Sequence, residues 1–332
     1  MNQLEFKYHA DSNVGKKRTI NEDAFSQIET KYGNVFIVCD GMGGHAAGER
    51  ASEIAISVIS EYLENSNSEQ FPKEIDQAIQ FANKSIWEEA SQDSSLKGMG
   101  TTCVVLYLTN KGEIFIGHVG DSRCYSYTHK EGLSVLTKDH SQVQFLIEIG
   151  EVKEEEAFDH PKKNIILKAL GISESVTPEV TEHPVIPDKE TIYLLCSDGL
   201  NDMLRNKEIQ ALLEFNASSE KMVNDLIEGA LEKGGKDNVT VGVLKIESNP
   251  FYSPSPLKDK TLIVKPGHRS SKHISTKKLI LLFSLLALAV LLFYLFRPKN
   301  SNENNDITPN SNDTISNVKT DPDKELDINN LP

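Results

Sequence analysis

The chain of 332 residues has no basic excess, no paired cysteines and no internal repeat of fixed period. It carries 35 Lys and Arg against 49 Asp and Glu, a formal net charge of −14. Nucleic-acid binding needs a basic face that neutralises phosphates, so we expect no nucleic-acid partner. The cysteines form no Cys-x-x-Cys pair, which argues against a zinc site. All four are predicted to be reduced residues of the core: Cys39, Cys103, Cys124 and Cys196.

The N-terminal segment Met1–Glu5 has no basic region followed by an apolar one, so no signal peptide is expected. The region that follows, to about residue 247, indicates a domain of mixed α and β structure. Acidic residues are concentrated between about residues 140 and 171 of this domain, which indicates a polar insertion or flap beside the core. Strand patterns are predicted at 35–39, 102–108, 113–119, 123–128, 191–197 and 238–246. Amphipathic helices are predicted at 46–63, 74–90, 207–215 and 219–232.

After residue 247 the composition changes. Residues 248–278 form a Pro/Ser linker that becomes basic, with seven Lys and Arg between 257 and 278. Residues 279–296 carry no charge over eighteen positions, which predicts one transmembrane helix; a buried core helix is the alternative. The positive-inside rule places the N-terminal domain in the cytoplasm and the polar, disordered tail 297–332 outside the cell membrane. The basic stretch either contacts anionic lipid or only fixes this topology.

Five aspartates stand at the ends of apolar runs, each beside a glycine, an asparagine or another acid. A rigid scaffold commonly carries functional side chains at such strand ends. Carboxylates that cluster without a matching basic cluster repel one another, and a hard cation such as Mg²⁺ or Mn²⁺ relieves that repulsion. The sequence therefore predicts a metal site built from Asp23, Asp40, Asp121, Asp198 and Asp237.

Seven short motifs place these aspartates in a recognisable order. They are Arg18–Asp23, Asp40–His45, Gly98–Thr102, Gly120–Arg123, Thr137–Ser141, Ser197–Leu200 and Gly235–Thr240. Together they resemble the metal-dependent serine/threonine phosphatases of the PPM, or type 2C, family in its bacterial form, over about residues 5–247. The resemblance implies an α+β fold: a four-layer α-β-β-α sandwich of two antiparallel sheets flanked by helices.

The resemblance also implies two ions of Mn²⁺ or Mg²⁺ at one end of the sandwich. Asp40 would bridge both ions, and the backbone carbonyl of Gly41 would bind one of them. Asp198 and Asp237 would complete the second ion's ligands. The family's reaction is hydrolysis of a phosphomonoester by a water that the ions activate, without a covalent enzyme intermediate.

Further residues take implied roles around these ions. Glu22 and Asp23 would contact the metals through water. Bacterial members often carry a third ion, for which Asp121 and Asp198 would be ligands. Arg18 precedes Glu22 closely, and its planar guanidinium matches phosphate, so it is predicted to bind the substrate phosphoryl group; a surface salt bridge is the alternative.

The leaving-group acid is left unassigned. Many relatives have a histidine directly after Asp-Gly, whereas this chain has Met42, whose thioether cannot donate a proton. His45 lies three residues further on and suits a structural role better. His118 is predicted to be a satisfied core residue, and Asp139 to be structural. Asn238 is predicted to orient Asp237.

The sequence thus predicts a membrane-anchored, cytoplasm-facing enzyme that dephosphorylates phosphoserine and phosphothreonine in proteins. By family habit, its partners are expected to be a membrane serine/threonine kinase and that kinase's targets, and we expect a monomer. One alternative is a pseudophosphatase that binds phosphoproteins without cleaving them, which a complete ligand set disfavours. Another is a phosphatase dedicated to one signalling partner, which usually carries a sensory domain that is not evident here.

Overall fold

The computed structural model describes residues 4–44, 46–215 and 217–252. In chain order the strands are β1 (Glu5–Asn13), β2 (Asp23–Thr30), β3 (Gly33–Met42), β4 (Gly100–Thr101), β5 (Cys103–Thr109), β6 (Ile114–Val119), β7 (Arg123–Thr128), β8 (Gly132–Val135), β9 (Glu179–Val180), β10 (Ile192–Cys196) and β11 (Val239–Ser248). The helices are α1 (Ala46–Asn65), α2 (Phe71–Gln92), α3 (Gln142–Glu148), α4 (Asp198–Asn201), α5 (Asn206–Leu213) and α6 (Ser219–Glu232).

The strands form two antiparallel sheets. The first sheet has the order β1-β11-β10-β7-β8, so the N-terminal strand pairs with the last described strand. The second sheet has the order β2-β3-β5-β6-β9, with β4 paired to the end of β3. Because β1 and β11 are neighbours, the two ends of the domain are joined within one sheet.

Alternation along β3 shows how the sheets are stacked. Val35, Ile37 and Cys39 belong to a core shared with α1 and α2. Phe36 and Val38 point to the opposite face, in a core that lies between the two sheets. Successive side chains of a strand face opposite sides. An uninterrupted apolar run of this kind therefore indicates a strand covered on both faces.

The first sheet has the mirror arrangement. Leu194 of β10 packs with the helical layer, while Tyr193 and Leu195 face the core between the sheets. Helix α6 contributes Met222 and Leu226 to the outer core, four residues apart and so on one helix face. The layers are therefore helix, sheet, sheet, helix, which confirms the predicted sandwich. All four cysteines are free and buried, as predicted.

The predicted flap is more ordered than its composition indicated. It contains α3 and a 3₁₀ turn at Glu154–Asp159, and its base is closed by a β-bridge between Ser141 and Ile166. Ser141 begins α3 by accepting a hydrogen bond on its hydroxyl from the N–H of Gln144.

The predictions for 253–332 lie outside the described residues, including most of the linker, the transmembrane helix 279–296 and the polar tail. Within the part of the chain that is described, no helix combines the length and the apolar character needed to cross a membrane. The described chain ends just after Asn249, whose side-chain amide donates to the carbonyl of Pro187 at 2.9 Å.

Candidate metal centre and active site

The predicted aspartates converge at one end of the sandwich and come from both sheets. Strand pairing sets Asp23, at the start of β2, opposite Asp40 near the end of β3. Asp198 begins α4 directly after β10, and Asp237 lies just before β11. Asp121 occupies the turn between β6 and β7. The fold thus brings together residues that are more than two hundred positions apart in the sequence.

Hydrogen bonds lock Asp23 across the two sheets. Its Oδ2 accepts from the hydroxyl of Ser197 and from the hydroxyl of Thr240, each at 2.7 Å. Ser197 Oγ in turn accepts from the backbone N–H of Thr240 at 3.0 Å. One carboxylate oxygen of Asp23 is therefore committed to holding β2 against the ends of β10 and β11.

The backbone of Asp40 is held by two threonines. Its N–H donates to Thr102 Oγ1 at 3.0 Å, and its carbonyl accepts from Thr102 N at 2.8 Å and Thr101 Oγ1 at 2.9 Å. These threonines fix the main chain from which the Asp40 side chain projects.

Gly41 is required by close approach of other backbone. A Cβ at this position would lie 2.2 Å from the carbonyl oxygen of Gly48 and 2.5 Å from that of Glu22. The N–H of Gly41 also donates to the Glu22 carbonyl at 3.1 Å. Any side chain would separate the end of β3 from α1, so glycine keeps the predicted metal-binding carbonyl in place.

Crowding of carboxylates dominates the electrostatics. Burial, followed by repulsion from neighbouring aspartates, raises the pKa of Asp40 and of Asp198 well above the ordinary value. Burial raises the pKa of Asp23 to about 6, against hydrogen bonds that lower it. Burial and the charge of Asp139 raise the pKa of Asp121 to about 7. In the absence of a cation these groups resist losing their protons together.

This donor set fits a hard divalent cation. Asp121 is only 4 % exposed, and its Oδ1 has no hydrogen-bond partner among the described residues. Buried carboxylate oxygens that lack donors are stabilised by a cation, and oxygen ligands are those that Mg²⁺ and Mn²⁺ prefer. The residues present therefore suit the predicted ions, while the assignment of individual ligands stays a prediction.

Arg18 lies at the rim of the cluster. Its Nη1 is 3.1 Å from Glu22 Oε2 and its Nη2 is 2.7 Å from Asp237 Oδ2, while the side chain is 46 % exposed. Glu22 is buried, and its backbone carbonyl accepts from the Ser52 hydroxyl at 2.7 Å. Arg18 thus combines a salt bridge with an exposed guanidinium at the mouth of the site, and both of its predicted roles remain open.

Asn238 orients Asp237 as predicted, and it does so through its backbone, whose N–H donates to Asp237 Oδ1 at 2.8 Å. The Asn238 carboxamide has a second role that was not predicted: it accepts from Glu22 N at 2.8 Å and donates to the carbonyl oxygens of Val14 and Ile20. Its role is to shape the loop that carries Arg18 and Glu22.

The histidine and acid predictions have mixed outcomes. His118 is 4 % exposed, and its Nε2 donates to the carbonyl of Lys138 at 2.8 Å, which confirms a satisfied core residue. Asp139 has the predicted structural role, because it pairs with Arg123 through Nε at 2.9 Å and Nη2 at 2.6 Å. His45 lies outside the described residues. Met42 ends β3, and the leaving-group acid stays unassigned.

A groove of about 750 Å³ extends from Asp121 and Asp198 toward the flap. In its wall the ring of Phe158 contacts two cations, with Lys163 Nζ 4.8 Å and the Arg205 guanidinium carbon 4.0 Å from the ring centroid. Lys163 also pairs with Asp202 at 3.0 Å. We call Phe158, Lys163, Asp202 and Arg205 the flap latch. No sequence pattern indicates the flap latch, because its residues meet only in the tertiary structure.

A sandwich of this kind, with clustered carboxylates beside a groove, defines a metal-dependent hydrolase. The chain belongs to the protein phosphatase 2C family, whose model matches residues 14–233. A serine/threonine phosphatase stp from Listeria welshimeri is 38% identical over 241 residues, which cover 71% of this chain and 93% of that protein.

Solved structures agree with this assignment. The serine/threonine phosphatase Stp1 from Staphylococcus aureus is 35% identical, with a TM-score of 0.67, and the match covers 74% of this chain and 96% of that one. The catalytic domain of the serine threonine protein phosphatase PstP, solved in complex with 2 manganese ions, is 33% identical with a TM-score of 0.65 and covers 74% and 100%. The protein is therefore a metal-dependent protein serine/threonine phosphatase.

Proposed function

We propose that Asp40, Gly41, Asp198 and Asp237 hold two divalent cations and that Arg18 binds the phosphoryl group of a phosphoserine or phosphothreonine substrate. The convergence of carboxylates from both sheets carries this proposal, since neighbouring aspartates raise one another's pKa in the absence of a cation. When bound, the ions stabilise negative charge on the phosphoryl oxygens and acidify a water molecule.

The protein's own residues prepare the site for that chemistry. Thr101 and Thr102 fix the backbone of Asp40, and Asn238 shapes the loop of Arg18, so little reorganisation accompanies substrate binding. The Arg18 guanidinium contacts Glu22 and Asp237. A phosphoryl group that reaches the mouth of the site would compete with these carboxylates for the Arg18 guanidinium, whose planar N–H groups match the phosphoryl oxygens.

We extend the proposal to a third cation held by Asp121 and Asp198, and we assign Glu22 and Asp23 to contacts through water with the two principal ions. The support is the Asp121 carboxylate, which lines the groove and whose Oδ1 is buried without a donor among the described residues. The repulsion of Asp198 by Asp121 supports placing one cation between them.

We also propose that the apolar run 279–296 anchors the enzyme as a single-pass protein of the cell membrane, with the catalytic domain cytoplasmic. Its support is the absence of charge over eighteen residues and the basic segment before it. Anchoring raises the effective concentration toward membrane-bound substrates, which favours a membrane serine/threonine kinase and its targets. A truncation after residue 278 that still fractionates with membranes would contradict the anchor.

The test of the site is phosphate release from a phosphothreonine peptide by the full-length protein, with Mn²⁺ and with a chelator. Asp198→Asn should abolish the metal-dependent release. Asp225→Asn is the matched control, because Asp225 lies on the exposed side of α6, where its pair with Lys221 contributes little. Full activity of Asp198→Asn would refute the ligand assignment. Inactivity of folded, metal-loaded wild-type protein on several peptides would favour the pseudophosphatase.

A further inference from the structure

Two histidines and a glutamate lie behind the metal centre, outside the carboxylate cluster. The rings of His118 and His140 stack with centroids 4.9 Å apart and planes at 7°. With Glu179 they place three potential ligand atoms within 4.8 Å of one another, in a group of the described residues that could hold a metal ion. The hydrogen bonds around this group point to a different role.

The ring nitrogens of His140 are both engaged. Nδ1 accepts from the backbone N–H of Gly120 at 3.0 Å, and a backbone N–H can only donate. A neutral ring therefore carries its proton on Nε2, which lies 3.0 Å from Glu179 Oε1 and donates to it. The Lys168 ammonium is 3.4 Å from the same nitrogen, but it is also only a donor. No lone pair of His140 is left for a metal.

His140 holds Gly120 from both sides. Its own backbone N–H donates to the Gly120 carbonyl at 2.9 Å, in addition to the ring contact with the Gly120 N–H. Gly120 has a φ of +103°, and a Cβ there would lie 2.6 Å from Thr102 Cβ. This left-handed turn is followed at once by Asp121, so whatever fixes Gly120 also fixes the direction of the Asp121 side chain.

The same histidine is tied to the base of the flap. Its carbonyl accepts from Leu167 N at 2.7 Å, next to the bridge between Ser141 and Ile166 that closes the flap. Glu179 belongs to β9, which pairs with β6 at His118. His140 therefore joins the flap base, β9 and the turn that carries Asp121.

We propose that His140, oriented by Glu179, is a positioning residue that sets Asp121 for cation binding. The inference rests on the proposed role of Asp121 as a metal ligand. Partners behind a metal ligand commonly contribute about 10- to 100-fold to metal affinity. His140 acts on the ligand through the Gly120 peptide and touches neither substrate nor cation.

The test is calorimetric titration of the full-length, metal-stripped protein with Mn²⁺. Asp121→Asn should remove one binding step. His140→Ala should weaken that same step about tenfold or more and leave the tighter steps unchanged. His140→Asn keeps an acceptor near the position of Nδ1 and should restore most of the affinity, whereas a general loss of packing would not be rescued. His129→Ala, at an exposed histidine, is the matched control.

Glu179 provides a second route to the same result if His140→Ala folds poorly. Its side chain is 48% exposed, so substitutions there are tolerated by the core. Glu179→Gln keeps an acceptor for His140 Nε2 and should bind Mn²⁺ as the wild type does, while Glu179→Leu should weaken the Asp121 step.

Three outcomes overturn the inference, and they are distinguishable. If Asp121→Asn leaves Mn²⁺ binding unchanged, the proposed ligand role of Asp121 fails, and the inference fails with it. If Asp121→Asn loses a step that His140→Ala and Glu179→Leu both retain, only the positioning role fails. If Asp121→Asn still binds an ion that His118→Ala and His140→Ala each abolish, the histidine group is itself a metal site.

Discussion

Metal-stripped protein should become less stable as the pH rises from 5 to 8. Burial raises the pKa of Asp23 to about 6 and of Asp121 to about 7, from the ordinary 3.8 that applies to the unfolded chain. Between these values the folded protein holds protons that the unfolded chain has released. The free energy of unfolding therefore falls with rising pH, until the pH passes the folded-state pKa.

The size of the effect follows from the shifts. At pH 5 the folded-state pKa of Asp23 lies about one unit above the pH, and that of Asp121 about two units above it. Raising the pH from 5 past both values therefore lowers the free energy of unfolding by roughly 4 kcal/mol in total. Asp40 and Asp198 act in the same direction, since their pKa values are also raised. His140 acts in the opposite direction, because burial lowers its pKa. This contribution to the free energy of unfolding changes only below about pH 6.5, and by at most ~1.4 kcal/mol per pH unit. For a domain of this size the net loss corresponds to a melting temperature lower by about 10 °C.

The assay is thermal unfolding, followed by circular dichroism at pH 5, 6, 7 and 8, with a chelator and with excess Mn²⁺. Asp121→Asn should flatten the metal-stripped profile, since an amide does not titrate. Excess Mn²⁺ should reverse the trend, because a cation binds the deprotonated carboxylates and stabilises the folded state. A melting temperature that stays level or rises from pH 5 to pH 8 in the chelator would refute the reasoning.

Three further substitutions test separate parts of the site. Gly199→Ala places a Cβ 1.8 Å from the carbonyl oxygen of Asn238, so backbone must move; we expect thermal unfolding to show a loss of about 1–3 kcal/mol, and a wild-type melting temperature would contradict this. Arg18→Lys replaces the planar guanidinium with a compact ammonium, so KM for a phosphopeptide should rise about tenfold in steady-state kinetics while kcat changes little. An unchanged KM would show that Arg18 forms only a salt bridge. Phe158→Ala removes the ring of the flap latch. KM for a phosphoprotein should then change, while the rate of hydrolysis of a small phosphate ester stays constant. Loss of both activities would argue against a role of the flap latch in substrate choice.

The strands that carry the site could be predicted because each leaves a local signal. The run before Asp40 is apolar at every position, since β3 is covered on both faces, and the aspartate breaks that run where the strand reaches the sheet end. Asp198 repeats the pattern after β10, whereas Asp237 stands just before β11 and beside Asn238. A polar residue that interrupts a buried strand beside a glycine is visible without knowledge of the partner strands.

The edge strands could not be predicted in the same way. Strands β1 and β2 are only partly buried along their length, so their apolar positions are few and irregular. The two-residue strand β9 is defined only by its pairing with β6, which is separated from it by the whole flap. The flap itself was expected from its acids, but the latch depends on contacts of the flap with the segment after β10.

Supporting residues were missed for a related reason. Asn238 acts on its sequence neighbour Asp237 as predicted, but the contact of its carboxamide with the loop before β2, more than two hundred residues earlier, was missed. Arg123 pairs with Asp139 across a hairpin and a turn. The partners of polar side chains behind a site are the residues nearest to them in space. A single sequence indicates which residues are close in space only where they are also close in the chain.

The carboxylate cluster explains why so rigid a scaffold surrounds a small site. Like charges at the ends of four strands would push those ends apart, so the site must be held by interactions that do not depend on the metal. Three separate cores stack above, between and below the sheets, and Ser197 and Thr240 bond Asp23 across the gap between them. These contacts hold the carboxylate-bearing strand ends together independently of a cation. We infer that His140 extends the same principle to Asp121, which lies in the turn between β6 and β7, through its two hydrogen bonds with Gly120.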